Sequence, residues 1–406
     1  MRTWVIEPRD PLIVRDGRPF GADIAGARAT SLDFPFPSTT TGGVRTRQGL
    51  GKGGNFDAAL IAQLKQLEVS GPLLVELNND GEIVDWLMPA PADALWCNLK
   101  ADADGRVPQG RGKLIRLAPL EMPTGAFTNL PDDNLRPVGA WQSSGKPFDR
   151  PPRYWKRRRF EKWLSDPQGC DEAATEEWGN DGPPKETRTH VGIEPSSQSA
   201  LEGALYQTRG LEFTHQAKPP KVGGERLALA IWTAADALEE GVTPFGGERR
   251  LTHWRKSDKL IETEFDASKQ AVIQRIKESR DGDSYSCRLI LLTPAHFTDG
   301  YRPDGLLKVQ PNVKVELKGV AVNRAHVVSG WDFDRTKSER GQPKATRRLA
   351  PSGSVYFLKL TGGEDQIENL CNKIWLKCVS DGRQSRCDGF GLAMLGAWSG
   401  KPEVHQ

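Results

Sequence analysis

The side chains best placed to do chemistry in this 406-residue chain are arginines set beside glycines and hydroxyls. RDGRPF carries Arg15 and Arg18 around Asp16 and Gly17. A tight turn there presents two planar guanidiniums, the geometry that grips phosphate in bidentate fashion. A plain surface turn, with Arg15 paired to Asp16 or Asp10, explains the same letters. PSTTTGGVRTR places Ser38, Thr39 and Thr40 at the start of a short helix, with Ser38 as its N-cap and Arg45 and Arg47 a turn or two further on. Free amides at a helix start favour an anion and the hydroxyls add donors; an ordinary capped helix with solvated arginines is the other reading. GGERR supplies Arg249 and Arg250, and ATRR supplies Arg347 and Arg348, each next to an expected strand. Near the C-terminus, DGRQSRCDGFG holds Arg383, Arg386, Gly389 and Gly391. Glycines let a backbone approach a phosphate closely, so this loop reads as an RNA-contacting device.

One further basic stretch, RYWKRRRFEKW from Arg153, interleaves cations with Tyr154, Trp155, Phe160 and Trp163. Aromatics among cations suit single-stranded RNA by stacking and phosphate attraction. An amphipathic helix with its aromatics turned inward accounts for it equally well. Nucleotide-binding loop chemistry is not indicated: no Walker lysine follows the glycines at Gly42 and Gly43, and GLGKGG from Gly49 lacks the Ser or Thr that should follow.

Acid–base and metal chemistry have thinner support. The six histidines, His190, His215, His253, His296, His326 and His405, are scattered and form no ligand or triad pattern. The six cysteines include no C-x-x-C pair, so reduced thiols are expected and no metal site. Neither an HD pair nor a GGDD motif is present. The net charge of +3 and pI near 8.4 do not by themselves indicate nucleic acid, and the placement of the 56 Lys and Arg matters more. No apolar run reaches membrane length and MRTWVIEPRD lacks a signal-peptide core, so a soluble, cytoplasmic protein without a membrane partner is expected.

Strands and helices must position these arginines. Thr3 to Glu7 reads as a strand, Asp57 to Leu67 as a helix, and 72–77 with 82–87 as two strands around NNDG, a good hairpin turn. A helix is expected from about Tyr154 to Leu164. His190 to Glu194 and Ala204 to Phe213 pair as a hairpin, a candidate protruding arm. Arg226 to Trp232, Cys287 to Thr293, Val313 to Val322 and Ser354 to Leu360 read as strands, and Ala267 to Glu278 and Glu364 to Trp375 as helices. The expected division is 1–235, with an insertion at about 101–215, and 236–406, ending in the glycine-rich loop.

Ordered blocks carry a family resemblance. They are PRDPLIVRDGRPF from Pro8, DFPFPSTTTGGVRTR from Asp33, HVGIEPSSQSALEGALYQTRGLEF from His190, PFGGERRL from Pro244, GWDFD from Gly330, PSGSVYFL from Pro351 and the glycine-rich end. Together they resemble the RAMP superfamily of CRISPR proteins, and within it the third-subunit family of the Cmr (type III-B) effector complex. Residues from about 101 to 186 match no named pattern. The resemblance implies an α+β fold of two ferredoxin-like (RRM-like) units with inserted hairpins and loops. It implies a subunit without catalytic residues or cofactor that holds the 5′ repeat-derived handle of the CRISPR RNA. Its partners would be the large polymerase/cyclase-like subunit and the backbone RAMP subunit. On this reading the RNA-binding residues are Arg15, Arg18, Ser38, Thr39, Thr40, Arg45, Arg47, His190, Arg249, Arg250, Arg347, Arg348, Arg386, Gly389 and Gly391. RAMP relatives that cut repeat RNA place a histidine early, and this chain has none before His190, which is therefore assigned to structure or RNA contact. A metal-independent repeat-RNA endoribonuclease and a purely architectural, protein-binding subunit are the alternatives. Two expectations follow: Arg45→Glu with Arg47→Glu should weaken RNA retention, and Gly389→Val or Gly391→Val should cost handle binding more than folding.

Overall fold

A computed structural model describes residues 1–15, 28–29, 31–100, 108–132, 134–141, 145–214, 226–308, 312–332 and 341–404. Its first elements are β1 (Arg2–Pro8), α1 (Pro37–Gly51), α2 (Ala58–Gln66) and β2 (Val69–Leu77). Then come α3 (Arg157–Ser165), β3 (Lys185–Ile193), β4 (Ala200–Leu211), β5 (Arg226–Thr233), β6 (Gly241–Pro244) and β7 (Leu251–Ser257). The later part holds α4 (Asp266–Glu278), β8 (Ser284–Leu291), α5 (Asp304–Lys308), β9 (Lys314–Ala321) and β10 (Val355–Thr361). It closes with α6 (Glu364–Ile374), β11 (Lys377–Cys378), α7 (Arg383–Cys387) and β12 (Leu392–Ala397).

Contacts group the chain differently from the linear 1–235 and 236–406 division. One unit comprises Met1–Val84, Pro183–Ser257 and Val327–Arg348; the other comprises Asp85–Gly182, Asp258–His326 and Leu349–Gln406. In the first, five strands lie in the order β2-β5-β1-β7-β6. β1 is antiparallel to both neighbours, with Trp4 opposite Ile231 and Ile6 opposite Trp254, and β5 is antiparallel to β2. In the second, the order is β9-β10-β8-β12-β11, with β8 antiparallel to β10 and β12, and β9 antiparallel to β10. Each unit thus contains four strands ordered second, third, first, fourth along its own chain. The fold is mixed helix and strand with several antiparallel sheets.

These arrays form because β1 and β10 are rich in β-branched and aromatic residues and β5 and β8 carry runs of apolar residues, and both faces of each are largely buried. The first core gathers Trp4, Ile6, Val44, Leu73, Ile231 and Trp254; the second gathers Leu289, Phe357, Leu358, Ile367, Leu370 and Leu395. Helix α6 is legible in its spacing, with Ile367, Leu370, Cys371 and Ile374 buried along one stripe. Asp57 caps α2 by accepting from Leu60 N–H at 2.8 Å.

Three local expectations are corrected. The N-cap of α1 is Phe36, not Ser38, because Pro37 occupies the first turn, where its missing N–H costs nothing. The helix expected from Tyr154 begins at Arg157, after a short strand, Tyr154–Lys156. In that stretch Trp155, Phe160 and Trp163 are buried, so its aromatics are core residues rather than exposed stacking platforms. The glycine-rich loop expected over 381–391 contains α7, whose backbone bonds run from Arg386 N–H to Gly382 C=O and from Asp388 N–H to Gln384 C=O.

Candidate nucleic-acid interface

The loop joining β6 to β7 gathers three of the arginines anticipated from sequence. Pro244 pairs with Leu251 at the end of the ladder, and Phe245 N–H donates to Arg250 C=O at 2.8 Å. Inside this closure Gly246, Glu248 and Arg249 have φ of +73°, +55° and +50°. Gly246 accepts that conformation freely, and it also lies so close to Ile13 that an added Cβ would sit 2.8 Å from the Ile13 carbonyl oxygen. Glu248 and Arg249 have no such freedom. Left-handed backbone costs an L-residue about 1–2 kcal/mol, and such strain concentrates at functional sites.

A strand-like stretch from Arg9 to Arg15 carries the third arginine to the turn. It is held by reciprocal backbone bonds between Leu12 and Leu211, by Leu32 N–H donating to Val14 C=O at 2.8 Å, and by Gly247 N–H donating to Ile13 C=O at 2.7 Å. Arg15 consequently lies against Glu248, at 3.4 Å, while Arg250 meets the other oxygen of the same carboxylate at 3.0 Å. Arg249 is exposed and forms no ion pair among the described residues. One carboxylate therefore organises two guanidiniums, and a third stands beside them. Glu248 was missed in the sequence because a carboxylate is not itself a signal for an anion site. The signal was its place between two glycines and two arginines.

The β3–β4 hairpin rises from the same region of this unit. At its base Arg188 donates to Glu186 and holds that carboxyl below the usual range, mainly through the hydrogen bond and with a smaller contribution from Arg250. Further out, His190 faces Tyr206 across the ladder. Their rings stack with centroids 5.0 Å apart at 14°, and His190 Nε2 lies 2.8 Å from Thr208 Oγ1. Arg209 is exposed on β4, and Val191, Ile193, Leu201 and Leu205 are exposed towards the tip. The anticipated hairpin is present, and it is longer than its sequence pattern indicated.

Other anticipated residues are engaged elsewhere. Thr40 is fully buried, with Oγ1 donating to Pro37 C=O at 2.9 Å, which corrects its expected role as a donor to an external anion; Ser38 and Thr39 are half-buried on the same turn. Arg45 donates through Nη2 to the carbonyls of Lys65 and Leu67, both at 3.1 Å, closing the C-terminal end of α2. Arg47 donates to Glu239 C=O and lies over the Trp254 ring at 5.3 Å; burial lowers its pKa, partly offset by Glu239. These two arginines brace α1 within its own unit. Arg347 and Arg348 lie on the short strand Arg347–Leu349. In the second unit Arg386 donates to Ser380 and Asp381 carbonyls at 2.7 and 2.6 Å, and Gly389 and Gly391 are buried with φ of +89° and +81°. Arg18 lies outside the described residues. No cluster of His, Cys, Asp and Glu suited to a metal ion occurs among the described residues, and no described helix is long and apolar enough to cross a membrane.

The fold is mixed helix and strand with several antiparallel sheets, and it carries a surface cluster of arginines set by one carboxylate. The family follows from the sequence: residues 4–398 match CRISPR-associated protein (Cas_Cmr3), and the chain belongs to that family. It is a RAMP-type Cmr subunit of the type III-B CRISPR system. No curated protein matches the sequence. Among solved structures, it is similar to a chain in the cryo-EM structure of the Type III-B Cmr-beta bound to cognate target RNA and AMPPnP, state 1. That likeness has 16% identity and a TM-score of 0.43, over 88% of this chain and 86% of that one. A chain of the Type III-B Cmr-beta bound to cognate target RNA gives 15% identity, the same coverage and 0.43. A chain of the Csm3-Csm4 subcomplex in the type III-A CRISPR-Cas interference complex gives 9%, over 90% of this chain and 97% of that one, at 0.32.

Proposed function

We propose that this chain is a non-catalytic RNA-binding subunit that holds the 5′ repeat-derived handle of the CRISPR RNA and bridges the large polymerase/cyclase-like subunit to the backbone subunits. The observation that carries this reading is the gathering of Arg15, Arg249 and Arg250 around Glu248 on a turn with two strained non-glycine residues. A handle of constant sequence is recognised by fixed groups, and a turn whose cations are set in advance loses little entropy on binding. Each unit is read as a ferredoxin-like module, supported by the antiparallel order second, third, first, fourth in both, by α1 between the first and second strands of the first unit, and by α5 and α6 after the first and third strands of the second. His190 acts in structure or RNA contact, a role its stacking on Tyr206 and bond to Thr208 support.

The test is RNA binding by the assembled complex across a salt series, with Arg249→Glu and Arg250→Glu. Each lost phosphate contact flattens the log–log salt dependence by about 0.7 for single strands. Unchanged slopes with an intact fold mean the cluster is merely solvated, as an architectural subunit requires. The same preparations, incubated with labelled repeat RNA, are expected to leave it uncut. Cleavage that disappears in His190→Ala would establish the endoribonuclease instead.

A further inference from the structure

The arginine turn has a neighbour that its sequence did not single out. Arg9 follows β1, one residue past the pairing of Pro8 with Thr252, and its backbone N–H donates to Leu251 C=O at 2.9 Å. Leu251 closes the turn by pairing with Pro244 on its other side. From Arg9 the chain runs along the turn, with Ile13 C=O accepting from Gly247 N–H and Arg15 meeting Glu248. Arg9 and Arg15 therefore stand at the two ends of one stretch beside it. Arg9 is exposed, and its side chain forms no hydrogen bond or ion pair among the described residues. Arg249 is in the same state.

The carboxylates around the turn are engaged. Glu248 is shared by Arg15 and Arg250. Glu186 accepts from Arg188, with Arg250 near. Glu212 accepts from the N–H and the hydroxyl of Thr214. Asp10 accepts from Leu251 N–H at 3.2 Å and lies near Arg188, whose main partner is Glu186. Acids and bases here are close to balanced in number, so bulk charge does not select the ligand. The selection comes from the two groups left over, which are both guanidiniums and so both suited to a phosphate. One guanidinium meets one phosphate in bidentate fashion, and two at separate places on the turn suit successive phosphates of a strand. We infer that Arg9 is a further RNA contact, and that the site holds an internal run of at least two phosphodiesters of single-stranded RNA, not one terminal phosphate. This rests on the turn's being an RNA site, as proposed above.

The experiment measures binding of a short synthetic single-stranded RNA of repeat sequence, with hydroxyl ends, to the full chain across a salt series. Arg9→Gln is expected to flatten the log–log salt dependence by about 0.7, as Arg249→Gln does, and the two together by about 1.4. Arg2, exposed at the other end of β1, is the control, and Arg2→Gln should leave the slope unchanged. A nucleoside 5′-monophosphate should bind at least about 100-fold more weakly than the RNA. All variants should melt with the wild type, because the side chains removed hold no bond. An unchanged slope in Arg9→Gln, with the fall kept in Arg249→Gln, overturns the inference and leaves the turn an RNA site. An equal fall in Arg2→Gln means a diffuse field rather than a contact, and overturns it too. Equal affinity for the monophosphate overturns the run of phosphodiesters. No change in any variant, or no RNA binding by the wild type, defeats the reading of the turn itself, so the two failures are separable.

Discussion

The turn at Gly246–Arg250 and the loop at Asp381–Gly391 look alike in sequence, each combining glycine with arginine, yet their bonding is opposite. In the turn, Arg249 stands exposed, and Arg15 and Arg250 share one carboxylate at its edge. In the loop, Arg386 points its Nη1 at two carbonyls of its own chain. The backbone there is bonded throughout: Thr293 Oγ1 donates to Gly389 C=O, Gly391 N–H to Pro294 C=O, and Ser380 Oγ to Phe390 C=O. Positive φ serves different ends as well. The loop assigns it to glycines, which tolerate it, whereas the turn forces it on Glu248 and Arg249. An arginine beside a glycine is therefore ambiguous until the partners of its donors are known.

The contrast is sharpest for an arginine each of whose three nitrogens donates internally. Arg288 is 1% exposed and donates to Asp93 at 2.5 Å, to Ala397 C=O at 2.8 Å, and to Trp163 and Leu164 carbonyls, while Asp93 also accepts from Trp163 Nε1 at 2.9 Å. Arg288→Ala would leave Asp93 charged and buried, and is expected to cost about 3–5 kcal/mol in chemical denaturation. RNA affinity, measured on the folded fraction, should not change.

Next in size is Gly391→Val. An added Cβ would lie 2.7 Å from Ser380 Oγ and 2.8 Å from Ser380 N, at φ +81°. Left-handed strain and overpacking together predict a loss of about 3 kcal/mol. This reverses the expectation from sequence that valine there would spare folding and cost RNA binding. Wild-type melting with weakened binding would restore the original assignment. Arg386→Ala should cost about 1–2 kcal/mol through two lost hydrogen bonds, without altering the salt dependence of RNA binding.

The strands were readable because antiparallel strands with buried faces are runs of branched and aromatic residues, as in Val355–Thr361, and α6 because its apolar residues recur at helical spacing. The interleaving of the two units was not readable. β1 pairs with β5 and β7, more than two hundred residues away, and such pairings leave no local mark. The same limit hid the site. The Arg15–Glu248 contact spans 233 positions. The acceptors of Arg45, Arg47 and Arg386 are backbone carbonyls, which every residue has and no sequence pattern reveals.

The smallest expected effect discriminates most. Arg249→Gly removes an exposed cation and the left-handed strain together. Relief of about 1–2 kcal/mol is set against about 0.5–1 kcal/mol of extra chain entropy in the unfolded state, so stability should hold or rise by up to about 1.5 kcal/mol. RNA binding should fall, with the log–log salt slope reduced by about 0.7. Stability must hold or rise while RNA binding falls if the turn keeps its strain in order to present Arg249. Were the turn purely structural, stability would hold or rise and the salt slope would not change. The resemblance between turn and loop would then extend to their role, and the charge cluster would no longer distinguish them.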